Sequence, residues 1–135
     1  MKVLVDTSIW SLLLRRPRPE AEPLGAALAR LVRARRVAMI GPIRQELLSG
    51  IKTTATFDRL CRDLRGFPDL VLETLDYEDA ATAFNQCRAE GLQGSSTDFL
   101  ICAVALRRDL PIFSADEDFR RFARVLPLRL YEPGS

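Results

Sequence analysis

The sequence predicts an α/β fold in three layers, with a parallel sheet flanked by helices on both faces. Short apolar runs rich in β-branched residues recur along the chain, and their length favours strands over helices. Segments with apolar residues at spacings of three and four lie between them, which is the pattern of amphipathic helices. The two kinds of segment alternate, as they do in a parallel sheet whose connections are helices.

Five apolar runs are the candidate strands. In chain order they are Lys2–Val5, Val37–Ile40, the weaker Leu70–Leu72, Pro111–Phe113 and Leu128–Leu130. Runs this short and bounded by polar or turn-forming residues are typical of strands buried between helical layers.

Helical stripes occupy the intervals between these runs. The three clearest are Leu24, Ala27, Leu28, Leu31 and Val32; Phe57, Leu60, Cys61 and Leu64; and Ala80, Ala83, Phe84 and Cys87. We expect Asp76 to be the N-cap of the third of these helices. Phe99–Leu106 is apolar nearly all round, which predicts the most buried helix of the fold. Pro17, Pro19 and Pro23 predict a stiff loop between the first two helices.

Length and composition indicate one soluble domain spanning residues 1–135. A hydrophobic content of 47% suffices for a core without disulfides. Cys61, Cys87 and Cys102 are spaced too widely for a zinc knuckle and lie on helical stripes, so we expect them to be small buried apolar residues. Asp6 interrupts the first apolar run too early for a signal peptide, and no run is long enough to span a membrane. We therefore expect a cytoplasmic protein.

The types of ionisable residue in the chain indicate more about its possible function than the net charge of +2 does. Every cationic residue except Lys2 and Lys52 is an arginine, and arginine suits bidentate contacts with phosphate. A compositional bias that decorates solvated helix faces explains these arginines equally well. The chain has no histidine. This excludes histidine acid–base catalysis, a Ser-His-Asp triad and most zinc hydrolase sites.

Two acidic residues lie where a parallel sheet places its ligands, and two more lie on predicted helices. Asp6 directly follows the first predicted strand, and Asp116 follows the fourth beyond Ser114 and Ala115. Ligands of open α/β sheets bind beyond the carboxyl ends of the strands. Asp98 is in the first turn of the most apolar helix, and Glu46 is on a short helix that begins near Pro42.

Each of these acids has an ordinary structural explanation when it is taken alone. Three of them could cap or stabilise helix N-termini, and Ser95 forms a capping-box pattern with Asp98. As a set they require more, because clustered carboxylates repel one another unless a cation joins them. Oxygen ligands without histidine or thiolate favour Mg²⁺ or Mn²⁺, which can support phosphodiester hydrolysis. Thr7 and Ser114 could orient these carboxylates, or could equally serve as turn or capping residues.

Four motifs around these acids resemble the PIN-domain family, and within it the VapC-like ribonuclease toxins. They are Val3-Leu4-Val5-Asp6-Thr7-Ser8-Ile9-Trp10, Gln45-Glu46-Leu47, Thr97-Asp98-Phe99-Leu100-Ile101-Cys102-Ala103 and Phe113-Ser114-Ala115-Asp116-Glu117-Asp118-Phe119. They occur in the family's order and span nearly the whole chain. The motif around Glu46 is unspecific on its own, whereas the opening and closing motifs together are fairly specific.

The resemblance implies a sheet of strand order 3-2-1-4-5 and a Mg²⁺- or Mn²⁺-dependent endoribonuclease. It also implies the toxin role in a type II toxin–antitoxin system, with RNA as substrate, a small antitoxin protein as inhibitor and a homodimer as assembly. The catalytic and metal-binding quartet carried over by motif is Asp6, Glu46, Asp98 and Asp116. Asp118 matches a position that is often acidic, which makes it an accessory ligand. Ser114 keeps the hydroxyl where many relatives have threonine.

Three other interpretations compete with this one. An inactive PIN-like module that binds RNA or protein is the main alternative, although the intact quartet argues against it. A receiver-like signalling domain needs a lysine after its fifth strand, and neither Lys2 nor Lys52 is near one. A phosphatase with an aspartate nucleophile needs two acids flanking one residue after the first strand, whereas this chain has Asp6-Thr7-Ser8.

A run of large apolar residues after the first motif suggests a partner surface. Trp10, Leu12, Leu13 and Leu14 lie on one short predicted helix, and only a stripe of a helix can face the core. We therefore expect part of this surface, with Trp10, Leu13 and Leu14 at its centre, to bind an apolar antitoxin segment. Complete coverage by the next helix is the alternative.

Overall fold

A computed structural model describes residues 1–15 and 22–134 of the chain. Its sheet has three parallel strands in the order β2-β1-β3: β1 is Val3–Val5, β2 is Val37–Ala38 and β3 is Ile112–Phe113. Val3 pairs with Val37 on one side and Leu4 pairs with Ile112 on the other. All three residues of β1 are fully buried, as expected for a central strand covered on both faces. Of the predicted loop, Pro17 and Pro19 lie outside the described residues, whereas Pro23 is the first residue of helix Pro23–Arg33, where its fixed φ and missing N–H are tolerated.

The two outer predicted strands are reduced to single parallel bridges. Asp69 bridges to Met39 beside β2, and Leu130 bridges to Ile112 beside β3. The segments therefore lie in the predicted order 3-2-1-4-5, but Leu70–Leu72 and Leu128–Leu130 are not strands. Val71 is 80% exposed, whereas Leu70 and Leu72 on either side of it are partly buried against the core, so this edge segment covers the sheet without extending it.

Seven helices in the described residues cover the sheet. They are α1 (Thr7–Arg15), α2 (Pro23–Arg33), α3 (Gly41–Leu48), α4 (Thr54–Leu64), α5 (Thr74–Ala89), α6 (Ser96–Arg108) and α7 (Asp118–Phe122). The predicted stripes fall on α2, α4 and α5. The prediction for α6 is confirmed, since every residue from Phe99 to Ala105 is buried.

Asp76 does not cap α5 as predicted. The N-cap is Glu73, and Asp76 is the third residue of the helix, where it accepts a hydrogen bond from the Glu73 backbone N–H at 2.7 Å. Its side chain is fully buried and also accepts hydrogen bonds from Arg107 Nη1 and Arg108 Nη1, both at 2.7 Å. These bonds tie the start of α5 to the end of α6. The neighbouring arginines therefore explain why a charged residue occupies this buried position.

Trp10 belongs to the core of the isolated chain. It is 1% exposed, and its ring meets the ring of Phe67 edge-on at 5.1 Å. The prediction of an exposed apolar surface is therefore wrong for Trp10, because α2 and α3 pack against α1 and Phe67 lies against the indole ring. The leucines that follow it, Leu12, Leu13 and Leu14, are only partly buried. Within the described ranges, Trp10 Nε1 has no hydrogen-bond partner.

The cysteines have the environments predicted for small apolar residues. Cys87 and Cys102 are buried, Cys61 is partly buried, and all three are free thiols. Burial raises the pKa of the Cys87 and Cys102 thiols, which keeps them neutral and unreactive. Over residues 1–15 and 22–134, the structure contains no helix of the length and hydropathy needed to cross a membrane.

Candidate active site

A polar cleft of about 640 Å³ opens at the carboxyl edge of the sheet. Its walls come from the segments after β1 and β3, from α3 and from the start of α6. The lining residues are Asp6, Thr7, Ser8, Pro42, Gln45, Glu46, Ser49, Thr97, Asp98 and Asp116. All four acids of the predicted quartet therefore line one cleft, although they are widely separated in sequence.

Asp6 is the deepest of these acids. It is 7% exposed, and its backbone N–H donates to Phe113 O at 2.9 Å, which continues the pairing of β1 with β3. Its Oδ2 accepts hydrogen bonds from Ser8 Oγ and Ser114 Oγ, both at 2.8 Å. Two hydroxyls thus satisfy one carboxylate oxygen and fix the orientation of the side chain.

The same two serines hold the loop that carries Asp116. Ser8 Oγ accepts from the Ala115 backbone N–H at 3.0 Å, and Ser114 Oγ accepts from the Asp116 backbone N–H at 2.9 Å. The ends of β1 and β3 are therefore joined by side chains as well as by the sheet. Ser114 contacts Asp6, and its role as an accessory residue stays a prediction. Ser8 was missed, and its only sequence signal was its place two residues after Asp6 at a strand-to-helix junction.

Thr7 orients a different acid. Its Oγ1 donates to Glu46 Oε1 at 2.7 Å, a contact between the first turn of α1 and the middle of α3. Glu46 is otherwise exposed, and its backbone lies on a helix whose buried residues are Ile43 and Leu47. The bond to Thr7 holds this flexible side chain over the cleft.

Asp98 is held by the N-terminus of α6. Ser95 is the N-cap: its Oγ accepts from the Asp98 backbone N–H, and its own N–H donates to Asp98 Oδ2, both at 3.0 Å. Partial burial raises the pKa of Asp98, the bonds to Ser95 lower it, and the charges of Asp6 and Asp116 raise it. The net effect is an elevated pKa. The negative charges of Asp6 and Asp116 therefore add to the effect of burial on the pKa of Asp98.

Asp118 contacts this group through its backbone, since its N–H donates to Asp116 Oδ1 at 2.9 Å. It is the first residue of α7, and its Oδ1 accepts a hydrogen bond from Arg121 Nη1 at 2.6 Å, one turn along the same helix. It does not line the cleft. The side chain of Asp118 is thus paired within α7, and its role as an accessory ligand stays a prediction.

The donor set fits a hard divalent cation. The cleft offers carboxylate and hydroxyl oxygens, and no arginine or lysine of the described residues lines it to neutralise the acids. In that same part of the chain, no three acids converge closely enough to surround one ion. Mutual repulsion and the bonds to Ser8, Ser114, Ser95 and Thr7 account for this spacing. Asp6, Glu46, Asp98 and Asp116 are the residues that would hold Mg²⁺ or Mn²⁺.

Comparison with known proteins places the whole cleft within one family match. The family described as PIN domain matches residues 3–125. The chain is 34% identical over 131 residues to Ribonuclease VapC11 of Mycobacterium tuberculosis and to VapC ribonuclease Mb1587 of Mycobacterium bovis. Each match covers 94% of this chain and 96% of the relative.

Solved structures share the fold. FitAcB from Neisseria gonorrhoeae superposes with a TM-score of 0.76 at 19% identity, covering 97% of both chains. VapBC2 from Rickettsia felis, solved with a DNA fragment from its promoter, gives a TM-score of 0.73 at 16% identity and covers 97% of this chain and 98% of the other. At these identities the likeness concerns the three-dimensional arrangement of the elements.

Proposed function

Because this chain belongs to the PIN domain family, we propose that it is a Mg²⁺- or Mn²⁺-dependent endoribonuclease and the toxin of a type II toxin–antitoxin pair. One observation carries the proposal: a single cleft gathers Asp6, Glu46, Asp98 and Asp116 with no cationic side chain among its described lining residues. Relatives that are named ribonucleases and match over nearly their full length support the choice of RNA as substrate.

The residues of the cleft divide into ligands and the groups that orient them. Bound Mg²⁺ or Mn²⁺ would supply an activated water and stabilise the charge that develops on the phosphodiester oxygens. The four carboxylates hold the cation, while Ser8 and Ser114 fix the orientation of Asp6. Since the chain has no histidine, no imidazole can take the proton of the attacking water.

An RNA cleavage assay with a matched pair of variants tests this proposal. Asp98→Asn preserves shape but removes a charge that the cation requires, so it should abolish cleavage of single-stranded RNA in Mn²⁺ or Mg²⁺. Asp58→Asn makes the same change on an exposed residue of α4 that does not line the cleft, and it should cleave like the parent. Circular dichroism establishes that both variants fold. Full activity of Asp98→Asn would contradict the assignment, and a parent that binds RNA without cutting it would favour the inactive module.

The surface beside α1 supports an antitoxin partner with an apolar segment. Leu14, Leu47, Ile51 and Leu60 line a slot of about 130 Å³ between α1, α3 and α4. Arg59 and Asp63 line it as well, so an apolar segment with polar flanks would match it in chemistry. Leu14 lines the slot and Leu13 does not, so partner binding by these two leucines stays a prediction, whereas Trp10 is already covered.

Binding measurements on a matched pair of leucine variants test the slot. Leu14→Ala should weaken the complex with the antitoxin by about 1–2 kcal/mol, as expected for an apolar anchor in a pocket. Leu106→Ala removes the same atoms from a leucine of α6 that is 37% exposed and lies outside the slot, and it should bind like the parent. Equal affinities for the two folded variants would remove α1 from the interface.

A second apolar surface supports the homodimer. A groove of about 480 Å³ lies between α5 and the start of α6, with Tyr77, Ala81, Phe84 and Leu100 among its walls. Tyr77 is 55% exposed, and an apolar groove of this kind is typical of a protein contact. Tyr77→Glu should shift the sedimentation of the protein from dimer to monomer. Val71→Glu alters a residue that is more exposed and does not line the groove, so it should remain a dimer.

A further inference from the structure

Gly94 lies against three side chains at the entrance to α6. A Cβ atom built on this glycine would be 2.6 Å from Phe122 Cζ, 3.1 Å from Phe99 Cε2 and 3.2 Å from Asp98 Oδ2. The first distance is shorter than carbon atoms tolerate, and the other two are tight contacts. Any side chain at this position therefore forces a neighbour or the loop itself to move.

The requirement for glycine here is one of space. Gly91, in the same loop, has a φ of +78° and nothing within 4 Å of a Cβ, so its conformation is what favours glycine. Gly94 is not among the glycines with positive φ, and its surroundings are crowded. The two glycines of this loop are thus needed for different reasons.

The rings around Gly94 have little room to yield. Phe99 and Phe122 are each 1% exposed, and their centroids are 4.8 Å apart. Phe99 also contacts Phe84 edge-on at 5.4 Å, and Phe122 contacts Phe119 in the same way at 5.6 Å. Since a close-packed core resists displacement, an added methyl group would move the loop or the Asp98 carboxylate before it moved the rings.

The loop and the carboxylate move together. Ser95 follows Gly94, and its backbone N–H is the donor that holds Asp98 Oδ2 at 3.0 Å. A loop displaced outward carries this donor with it, while a loop that stays in place presses the new carbon onto the same oxygen.

We propose that Gly94 is a positioning residue of the active site: its lack of a side chain lets the loop close against Phe122 and holds the Asp98 carboxylate in the cleft. This inference rests on the proposed function, in which Asp98 is a ligand of the divalent cation. It concerns the geometry of one ligand, so it can be tested by metal affinity as well as by activity.

The test compares Gly94→Ala, Phe122→Leu, Gly94→Ala/Phe122→Leu and Gly91→Asn with the parent, by calorimetric titration with Mn²⁺ and by RNA cleavage. Gly94→Ala should lower both the Mn²⁺ affinity and kcat by about 10–100-fold, as loss of a group that orients a metal ligand usually does, with KM for RNA nearly unchanged. Phe122→Leu removes the closest atom, so the double variant should recover part of both losses. Gly91→Asn, in the same loop and without contacts, should bind Mn²⁺ like the parent, because asparagine tolerates a positive φ.

Each outcome of this comparison supports or overturns the positioning role of Gly94. A folded Gly94→Ala with parental Mn²⁺ affinity and kcat overturns the proposal. If that variant does not fold, the comparison moves to the Phe122→Leu background, where Asp98 Oδ2 remains close to the added carbon. Lower affinity of the double variant than of Phe122→Leu then supports the proposal, and equal affinity overturns it. A parent that neither binds Mn²⁺ nor cleaves RNA would instead refute the proposed function.

Discussion

Replacing Asp76 with asparagine should destabilise the fold more than any other substitution of a single acid in the described chain. Its carboxylate is fully buried and accepts four hydrogen bonds: Glu73 N at 2.7 Å, Arg107 Nη1 at 2.7 Å, and Arg108 Nη1 and Nη2 at 2.7 and 3.1 Å. Asparagine keeps the shape but turns an amide group toward these donors. It leaves Arg108 without its paired carboxylate and Arg107 with only Asp79, at 3.7 Å. The buried junction of α5 and α6 then contains unpaired positive charge.

The magnitude follows from the burial of the partners. Removing one member of a buried ion pair costs about 3–5 kcal/mol. The side chains of Arg107 and Arg108 are 24% and 22% exposed, so water partly compensates them and the lower end, about 3 kcal/mol, applies. With a urea m-value of roughly 2 kcal/mol/M, the midpoint of unfolding should fall by about 1–2 M. Asp79→Asn is the matched control, since Asp79 is 53% exposed and meets Arg107 only at 3.7 Å, and it should cost less than about 1 kcal/mol.

The pH dependence has a definite sign. Hydrogen bonding from Arg108, opposed by burial, holds the pKa of Asp76 well below its usual range. Because the pKa is lower in the folded state than the unfolded value of about 3.9, the ionised group stabilises the fold above pH 4 and loses this effect as the pH falls further. Urea unfolding monitored by circular dichroism should therefore show a constant gap between parent and Asp76→Asn from pH 8 to 5, and a narrowing gap below pH 4. Equal midpoints for Asp76→Asn and Asp79→Asn at neutral pH would refute this account.

Three further predictions follow from the cleft and the core. In differential scanning calorimetry, Asp98→Asn should raise the melting temperature of the metal-free protein by a few degrees, because the elevated pKa of Asp98 reflects an ionised form that the fold disfavours. The same variant should lose the further rise in melting temperature that we expect Mn²⁺ to give the parent. Ser114→Ala should lower Mn²⁺ affinity or RNA cleavage about 10–100-fold. Ser114→Thr keeps the hydroxyl bonded to Asp6, so its Mn²⁺ affinity in the same titrations should stay near that of the parent. Equal values for the two variants would contradict the orienting role of Ser114. Trp10→Ala should cost about 3–5 kcal/mol in urea unfolding, and a loss below 1 kcal/mol would show that the ring is not part of the core.

The sequence predicted the fold and the cleft through its strongest local signals. β1 and α6 consist of buried apolar residues, so their patterns are unambiguous, and the acids beside them fall at the carboxyl edge of any parallel sheet. The edges of the sheet were harder to predict. Leu70–Leu72 and Leu128–Leu130 have the composition of strands, but composition does not indicate that each segment will make only one bridge.

Side-chain partners far apart in sequence were the main source of error. Asp76 has the local pattern of an N-cap, and only the arrival of Arg107 and Arg108 from α6 makes it a buried anion. Trp10 lies in a run of apolar residues whose periodicity does not reveal which face is covered. The requirement for glycine at position 94 arises from Phe122, 28 positions later, and no local pattern connects the two residues.

The bonds of Ser8 and Ser114 to Asp6 also have a temporal consequence. The bond from Ser114 spans 108 positions of sequence, so the cleft closes only when residues near both ends of the described chain are present together. During synthesis, the N-terminal motif and even the buried helix α6 leave the ribosome before the segment that carries Asp116. A chain still attached to the ribosome before that point would hold Asp6, Glu46 and Asp98 without the fourth acid. Under the proposed function, such a nascent chain would lack one of the four metal ligands, and we expect it not to cleave RNA.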